Sequence, residues 1–260
     1  MPAPNEPLRI GCVQYLNARP LIYGWPGHVT LDHPAALCTQ LASGDLEIAL
    51  VSSFEFLRNP IYRIVDSISI CSGGPVYSVV VAYSGKAPLA EIEIDPVSLT
   101  SVVMLQYLMI ERGQSFKPVE MAGSFSSRLS EGRARLLIGD RAIRFRQKFA
   151  DAYQYWDLGE EWNGVASLPF VYALWLIRPE VNGAKSIADR LRTLRDENLA
   201  DIERLIAQEK EFDHDFCRRY YGENLQFAFG EKEKEGLGAF QQVCQKCGLL
   251  PKRDITFRVV

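Results

Sequence analysis

Short apolar, β-prone runs alternate with stretches of helical spacing through the first part of the chain. Residues 8–13 read as a strand, residues 18–23 as a helix stopped by Gly24, and residues 29–31 as a short strand. Residues 34–42 form a helix that opens on Pro34 and stops at Gly44. Residues 47–51 give the next strand, and Ser52-Ser53 opens a short helix through Leu57. This rhythm predicts a mostly parallel sheet. Three further β-prone runs lie at 62–65, 68–71 and 76–83, the last continuous enough for a central strand or a crossover. Between the last two, Ser72-Gly73-Gly74-Pro75 forces a turn and exposes backbone amides.

Residues 84–88 read as a hinge, after which a new unit begins. Its pattern predicts a strand at 91–94, a lead-in at 95–101 to a helix over 102–112, and a strand at 118–121. A weaker helix at 126–131, a strand at 135–138, a helix opened by Gly139-Asp140-Arg141-Ala142, a strand at 153–157 and a loop at 162–169 follow. Residues 170–177 make an apolar strand able to carry the chain back to the first unit. From Ala184 the reading is helical, at 187–195, 199–211, 213–221 and 231–247, with a last strand at 255–259 closing an edge. Leu199, Ile202, Leu205 and Ile206 recur at helical spacing, so one face packs on a lobe. There is no internal repeat. The organisation expected is one lobe from 1–84 with 175–260, and a second from 85–174.

Composition narrows the role. With 47% hydrophobic and 23% charged residues the chain is an ordinary globular protein, and its net charge of −3 argues against general nucleic-acid or membrane-surface binding. The basic run 128–148 reads as a solvated helix face. Residues 1–7 lack a basic and an apolar signal region, and no later apolar run is long enough to cross a bilayer, so a cytoplasmic location is expected. Cysteines in that compartment are buried hydrophobes rather than disulfides. Cys244 and Cys247 have metal or redox spacing but no second pair, and His28, His33 and His214 show no ligand spacing. No Walker loop, dinucleotide fingerprint or metal-ligand set is present, and no cofactor is expected.

Polar residues collect at the predicted strand ends: Asn17, Ser52 and Ser53, Ser72 with Gly74, Ser78, Thr100 with Ser101, and Asp140. In open α/β sheets that edge binds ligands. Ser52-Ser53 and Thr100-Ser101 also precede helices, where hydroxyls and free amides hold a carboxylate or phosphate, although each alone serves equally as a helix cap. Two such ends facing across a cleft favour an anionic ligand.

The same stretches resemble the chorismate dehydratase family of the futalosine route to menaquinone. Tyr15-Leu16-Asn17-Ala18 with Pro20-Leu21 is similar to the family's Tyr-Leu-Asn-Ala-x-Pro-Leu, and Ser53-Phe54-Glu55 to its Ser-x-Glu. Gly74-Pro75-Val76-Tyr77-Ser78-Val79 resembles Gly-Pro-Val-x-Ser-Val, Ser98-Leu99-Thr100-Ser101 resembles Ser-x-Thr-Ser, and Ile138-Gly139-Asp140-Arg141-Ala142 resembles Ile-Gly-Asp-x-Ala. Asp157-Leu158-Gly159 with Trp162 and Leu168-Pro169-Phe170-Val171-Tyr172-Ala173-Leu174-Trp175 extend the likeness. The sequence departs from the pattern at Ser52, where many members carry proline, and at Cys71-Ser72-Gly73. The helices after Trp175 carry no similar motif.

The resemblance implies a two-lobed, type II periplasmic-binding-protein-like α/β fold, with mixed, mostly parallel sheets flanked by helices and a ligand cleft between lobes; the crossovers at 79–84 and 170–177 lead to the expectation that the lobes close on the ligand. It implies a cofactor-free hydro-lyase that takes the dicarboxylate chorismate to 3-[(1-carboxyvinyl)oxy]benzoate and water. The implied site has Asn17, Ser78 and Asp140 at the chemistry and Ser52, Ser53, Ser72, Gly74, Thr100, Ser101 and Phe170 against the substrate. Asp140 is read equally as a helix cap and as a proton acceptor, the other candidate base being the substrate's own side-chain carboxylate. Phe170 shares a face with Tyr172, Leu174 and Leu176 and reads as core that reaches the ligand at the strand's start. Two rival readings share the fold: a cytoplasmic binding or sensor protein for a small dicarboxylate, and the sister enzyme 1,4-dihydroxy-6-naphthoate synthase. Oligomeric state is not legible.

Overall fold

The computed structural model describes residues 7–85, 89–94, 99–121, 124 and 126–260. Part of the expected hinge (86–88), the lead-in at 95–98 with Ser98, and residues 1–6 lie outside them. The chain runs β1 (Ile10–Val13), α1 (Arg19–Ile22), β2 (Val29–Asp32), α2 (Pro34–Ser43), β3 (Ile48–Ser52), α3 (Ser53–Arg58) and β4 (Arg63–Ser72). Then come β5 (Val79–Tyr83), β6 (Glu91–Ile94), α4 (Leu99–Glu111), β7 (Lys117–Glu120), β8 (Ala134–Ile138), α5 (Gly139–Lys148), β9 (Gln154–Asp157) and α6 (Leu158–Ala166). The last part holds β10 (Phe170–Ile177), α7 (Ala184–Ala200), α8 (Ile202–Ile206), α9 (His214–Arg219) and α10 (Glu231–Lys246).

Two five-stranded sheets result, ordered β2-β1-β3-β10-β4 and β7-β6-β8-β5-β9. In each, four strands share one direction and the crossover strand runs against them: β10 is antiparallel to β3 and β4, and β5 is antiparallel to β8 and β9. The fold is therefore the expected mixed α/β pair of lobes. The exchange between sheets, however, comes earlier than at 84/85 and 174/175, because β5 pairs wholly in the second sheet and β10 wholly in the first. β1, β3 and β10 are buried along nearly their whole length, which explains why their sequences are continuous apolar runs rather than alternating ones.

Several local expectations are corrected. The two runs at 62–65 and 68–71 are one strand, bent at Ser67, whose φ is 68°. The run 76–83 is a strand only from Val79, since Tyr77 turns the chain at φ 65°. The stretch expected as a loop at 162–169 begins as α6, because the Asp157 carboxylate caps it by accepting from the Gly159 and Glu160 amides. The helix expected at 126–131 does not form: the carbonyls of Ser127 and Arg128 accept instead from the buried Arg135 guanidinium. The helices expected at 187–195 and 199–211 are divided differently, as α7 and α8, and the expected closing strand is reduced to one bridge between Ile64 and Val259.

Arg135 also sets the interior of the second lobe. Its Nε donates to Glu93 Oε2 at 2.6 Å, and neither residue is exposed to solvent. Removing one member of such a pair strands a buried charge, which costs about 3–5 kcal/mol. An Arg135→Met variant is therefore expected to lose about that much stability in urea unfolding, and adding Glu93→Leu should recover most of it.

Candidate active site

Between the sheets lies a cavity of about 290 Å³, at the small end of ligand pockets. Its wall includes Asn17, Ser52, Ser78, Thr100 and Ser101, five of the ten residues expected at the site. Both lobes contribute, the first through β1, α2, α3 and β10 and the second through α4 and the β8–α5 junction. Much of the remainder is apolar, with Val13, Phe54, Ile70, Val76, Val79 and Ile138, and the polar groups are hydroxyls, the Asn17 amide and the Glu55 and Arg58 side chains.

The other five expected residues lie behind the wall. Ser53 is fully buried and its hydroxyl donates to the Val171 carbonyl at 2.6 Å, tying α3 to β10. Ser72 pairs with the Tyr172 hydroxyl at 3.0 Å, and it is Tyr172 that reaches the cavity. Gly74 packs near Gly159, where a Cβ would stand 2.7 Å from both the Gly74 carbonyl oxygen and the Tyr172 hydroxyl; only glycine fits. Phe170 is core, edge-on to Trp162 and Phe240 at 5.1 and 4.9 Å. Asp140 sits in the first turn of α5, and its Oδ1 accepts from the Leu16 amide at 2.9 Å.

That last bond crosses the cleft, and others join it there. Ser52 Oγ and Thr100 Oγ1 are hydrogen-bonded across the lobes. Gly139, at φ 56°, lies flat under the Tyr15 ring, where a Cβ would stand 3.0 Å from ring carbons. The Tyr221 hydroxyl donates to the Leu16 carbonyl at 2.9 Å, so both backbone polar groups of Leu16 are taken by distant side chains. Asn17 follows directly in this 3-10 turn, Leu16–Ala18. Its place at the cavity is thereby set by α5 and by the segment after α9.

Ser78 is held just as tightly. The Asp157 carboxylate accepts from the Val76 and Tyr77 amides at 3.0 and 2.7 Å while capping α6, which fixes the turn leading into Ser78. The Ser78 carbonyl accepts from the Gly139 amide at 2.8 Å. The Tyr220 hydroxyl donates to Ser78 Oγ at 2.7 Å. Tyr220 and Tyr221 were not expected at the site. They lie in a π-helical turn, Tyr220–Asn224, and the sequence around them carries no motif that pairs them with residues far earlier in the chain.

The wall also holds Glu55 and Arg58, which are paired with each other, and the Tyr62 hydroxyl lies 3.5 Å from Glu55 Oε1. Burial pushes the Glu55 carboxyl above the usual range, with Arg58 pulling it back. Burial likewise raises Asp140, opposed by the Leu16 amide and by Arg144 and Arg19. Desolvation lifts the Cys38 thiol in the same wall to about 12, which leaves it protonated and unreactive at neutral pH. Among the described residues, no three His, Cys, Asp or Glu side chains group as metal ligands would, and no helix is long and apolar enough to cross a membrane.

The two mixed sheets around an interlobe cavity define a periplasmic-binding-protein-like fold. The chain shares it with a protein of Archaeoglobus fulgidus, at TM-score 0.72 and 18% identity over 94% of this chain and 98% of that one. It shares it also with the periplasmic aliphatic sulphonate binding protein SsuA of Escherichia coli, at TM-score 0.65 and 10% identity over 98% and 96%. Within that class the chain belongs to the menaquinone biosynthesis family, whose pattern residues 8–246 match. A chorismate dehydratase of Thermus thermophilus is 29% identical over 91% of this chain and 95% of its own length.

The two raised carboxyls give a pH test. Each holds its proton more tightly in the folded chain than in the unfolded one, so stability falls as pH rises from the ordinary carboxylate range through the raised values, then levels. Glu55→Gln should flatten part of that fall in melting temperature as pH rises above the ordinary carboxylate range near pH 4. An unchanged slope would show that Glu55 ionises as an ordinary carboxyl.

Proposed function

We propose that this chain is a chorismate dehydratase, eliminating water from chorismate to give 3-[(1-carboxyvinyl)oxy]benzoate. The observation that carries the reading is the interlobe cavity lined by Asn17, Ser52, Ser78, Thr100 and Ser101 in a chain of the menaquinone biosynthesis family. The likeness to the Thermus thermophilus chorismate dehydratase supports the same substrate.

The reaction removes a ring proton and the neighbouring hydroxyl, and aromatisation drives it. Because the proton is vinylogous to the ring carboxylate, charge developing in the transition state spreads onto that carboxylate. Fixed donors there stabilise the transition state more than the ground state. Thr100 and Ser101, in the first turn of α4 where backbone N–H groups lack helical partners, supply such donors. Asn17 and Ser78 hold the substrate from the side of β1 and β5, with Ser52 bridging to Thr100.

The proton acceptor in this reading is the substrate's own side-chain carboxylate. The carboxylates in or near the wall are otherwise engaged: Asp140 holds the Leu16 amide from behind Gly139, and Glu55 is paired with Arg58. Asp140 is then a positioning residue for Asn17. The six cysteines are all free, and five of them are buried, which suits work in a reducing cytoplasm.

Purified protein incubated with chorismate should yield a product lighter by one water, seen by chromatography with mass detection well above a protein-free control. Chorismate that survives while raising the melting temperature would make the chain a binder. Asp140→Asn keeps an oxygen able to accept from Leu16 and is expected to keep most of its turnover. A loss of roughly 10²–10⁴, the size seen when a general base is removed, would assign the proton to Asp140 instead.

A further inference from the structure

The Tyr220 hydroxyl is 1% exposed as part of a residue wedged between the lobes, with its ring stacked on Phe216 at 5.5 Å and 15°. It donates to Ser78 Oγ at 2.7 Å. Among the described residues the Ser78 hydroxyl has no acceptor for its own proton, and Ser78 lines the cavity.

We propose that Tyr220 is a positioning residue that commits Ser78 to donate its hydroxyl proton into the cavity, toward a carboxylate or hydroxyl oxygen of the ligand. A free serine hydroxyl rotates to suit its neighbours and acts as donor or acceptor. With Tyr220 donating to it, the rotor is biased one way before any ligand arrives. Hydrogen bonds in such a chain polarise one another, so Ser78 becomes a stronger donor than an isolated serine. Ser78 precedes β5, and Tyr220 comes from a distant stretch of chain that follows α9.

The inference rests on the proposed dehydratase activity, and its test separates the two. Tyr220→Phe keeps the stacked ring and removes only the hydroxyl. It is expected to lower kcat about tenfold, the size of a lost positioning hydrogen bond, with KM little changed. In a Ser78→Ala background the same substitution should have almost no further effect on turnover, since the group it acts through is gone. A loss in that background equal to the loss in the native one would overturn the proposal, as would full activity in Tyr220→Phe. Melting temperatures provide a reading that needs no turnover. Ser78→Ala strands the buried Tyr220 hydroxyl, so adding Tyr220→Phe should raise the melting temperature above that of Ser78→Ala alone. A double variant less stable than Ser78→Ala would also overturn the proposal. If the native protein leaves chorismate intact, the functional reading fails, while the melting comparison still decides whether the Tyr220 proton goes to Ser78.

Discussion

A three-residue turn, Leu16–Ala18, is the constraint on which the site depends. The turn supplies the Leu16 carbonyl with the Arg19 amide, but the Leu16 amide at its start has no partner within so short a segment. The Asp140 carboxylate takes the Leu16 amide and the Tyr221 hydroxyl takes the Leu16 carbonyl, each from a different part of the chain. A hydrogen bond to a charged group contributes about 1.5–3 kcal/mol and leaving its donor buried and bare costs as much again, so the turn has one comfortable position. Asn17 inherits that position. The second lobe therefore shapes the first lobe's wall without offering a side chain to the cavity at that point.

Asp157 plays the corresponding part for Ser78. One carboxylate caps α6 and gathers two amides of the preceding turn, so the strand end that carries Ser78 and the helix that carries Trp162 are fixed as a unit. Gly159 makes this possible by bringing backbone against backbone where any side chain would collide. Rigid elements supply the geometry, and short polar turns between them present the functional groups.

The strands, the two-lobe plan and the five cavity residues were legible in the sequence because they follow from local signals: apolar runs, proline and glycine punctuation, and hydroxyls at strand ends. Ser52 and Ser53 show where such signals stop. Both are serines at a helix start, yet Ser52 faces the cavity as the cap of α3 and Ser53, one position on, points back to the Val171 carbonyl. The direction of a side chain at a turn depends on backbone angles that neighbouring residue types do not determine. Phe170 was ambiguous for a related reason, and the aromatic cluster of Trp162 and Phe240 drew it inward. Tyr220 and Tyr221 were invisible because their partners are residues 78 and 16, and no spacing rule reaches across such separations.

Those separations bear on how the molecule is made. A ribosome releases the turn at Leu16 and the strand of the first sheet long before it releases β10, which must slot between β3 and β4, and longer still before Tyr220 and Tyr221. Contacts so distant along the chain are the slow ones to form. The nascent first lobe thus waits as an incomplete sheet with an open gap, and the second lobe, whose strands all lie between residues 79 and 157, is able to finish first. Synthesis order makes the earliest residues of the site the last to be secured.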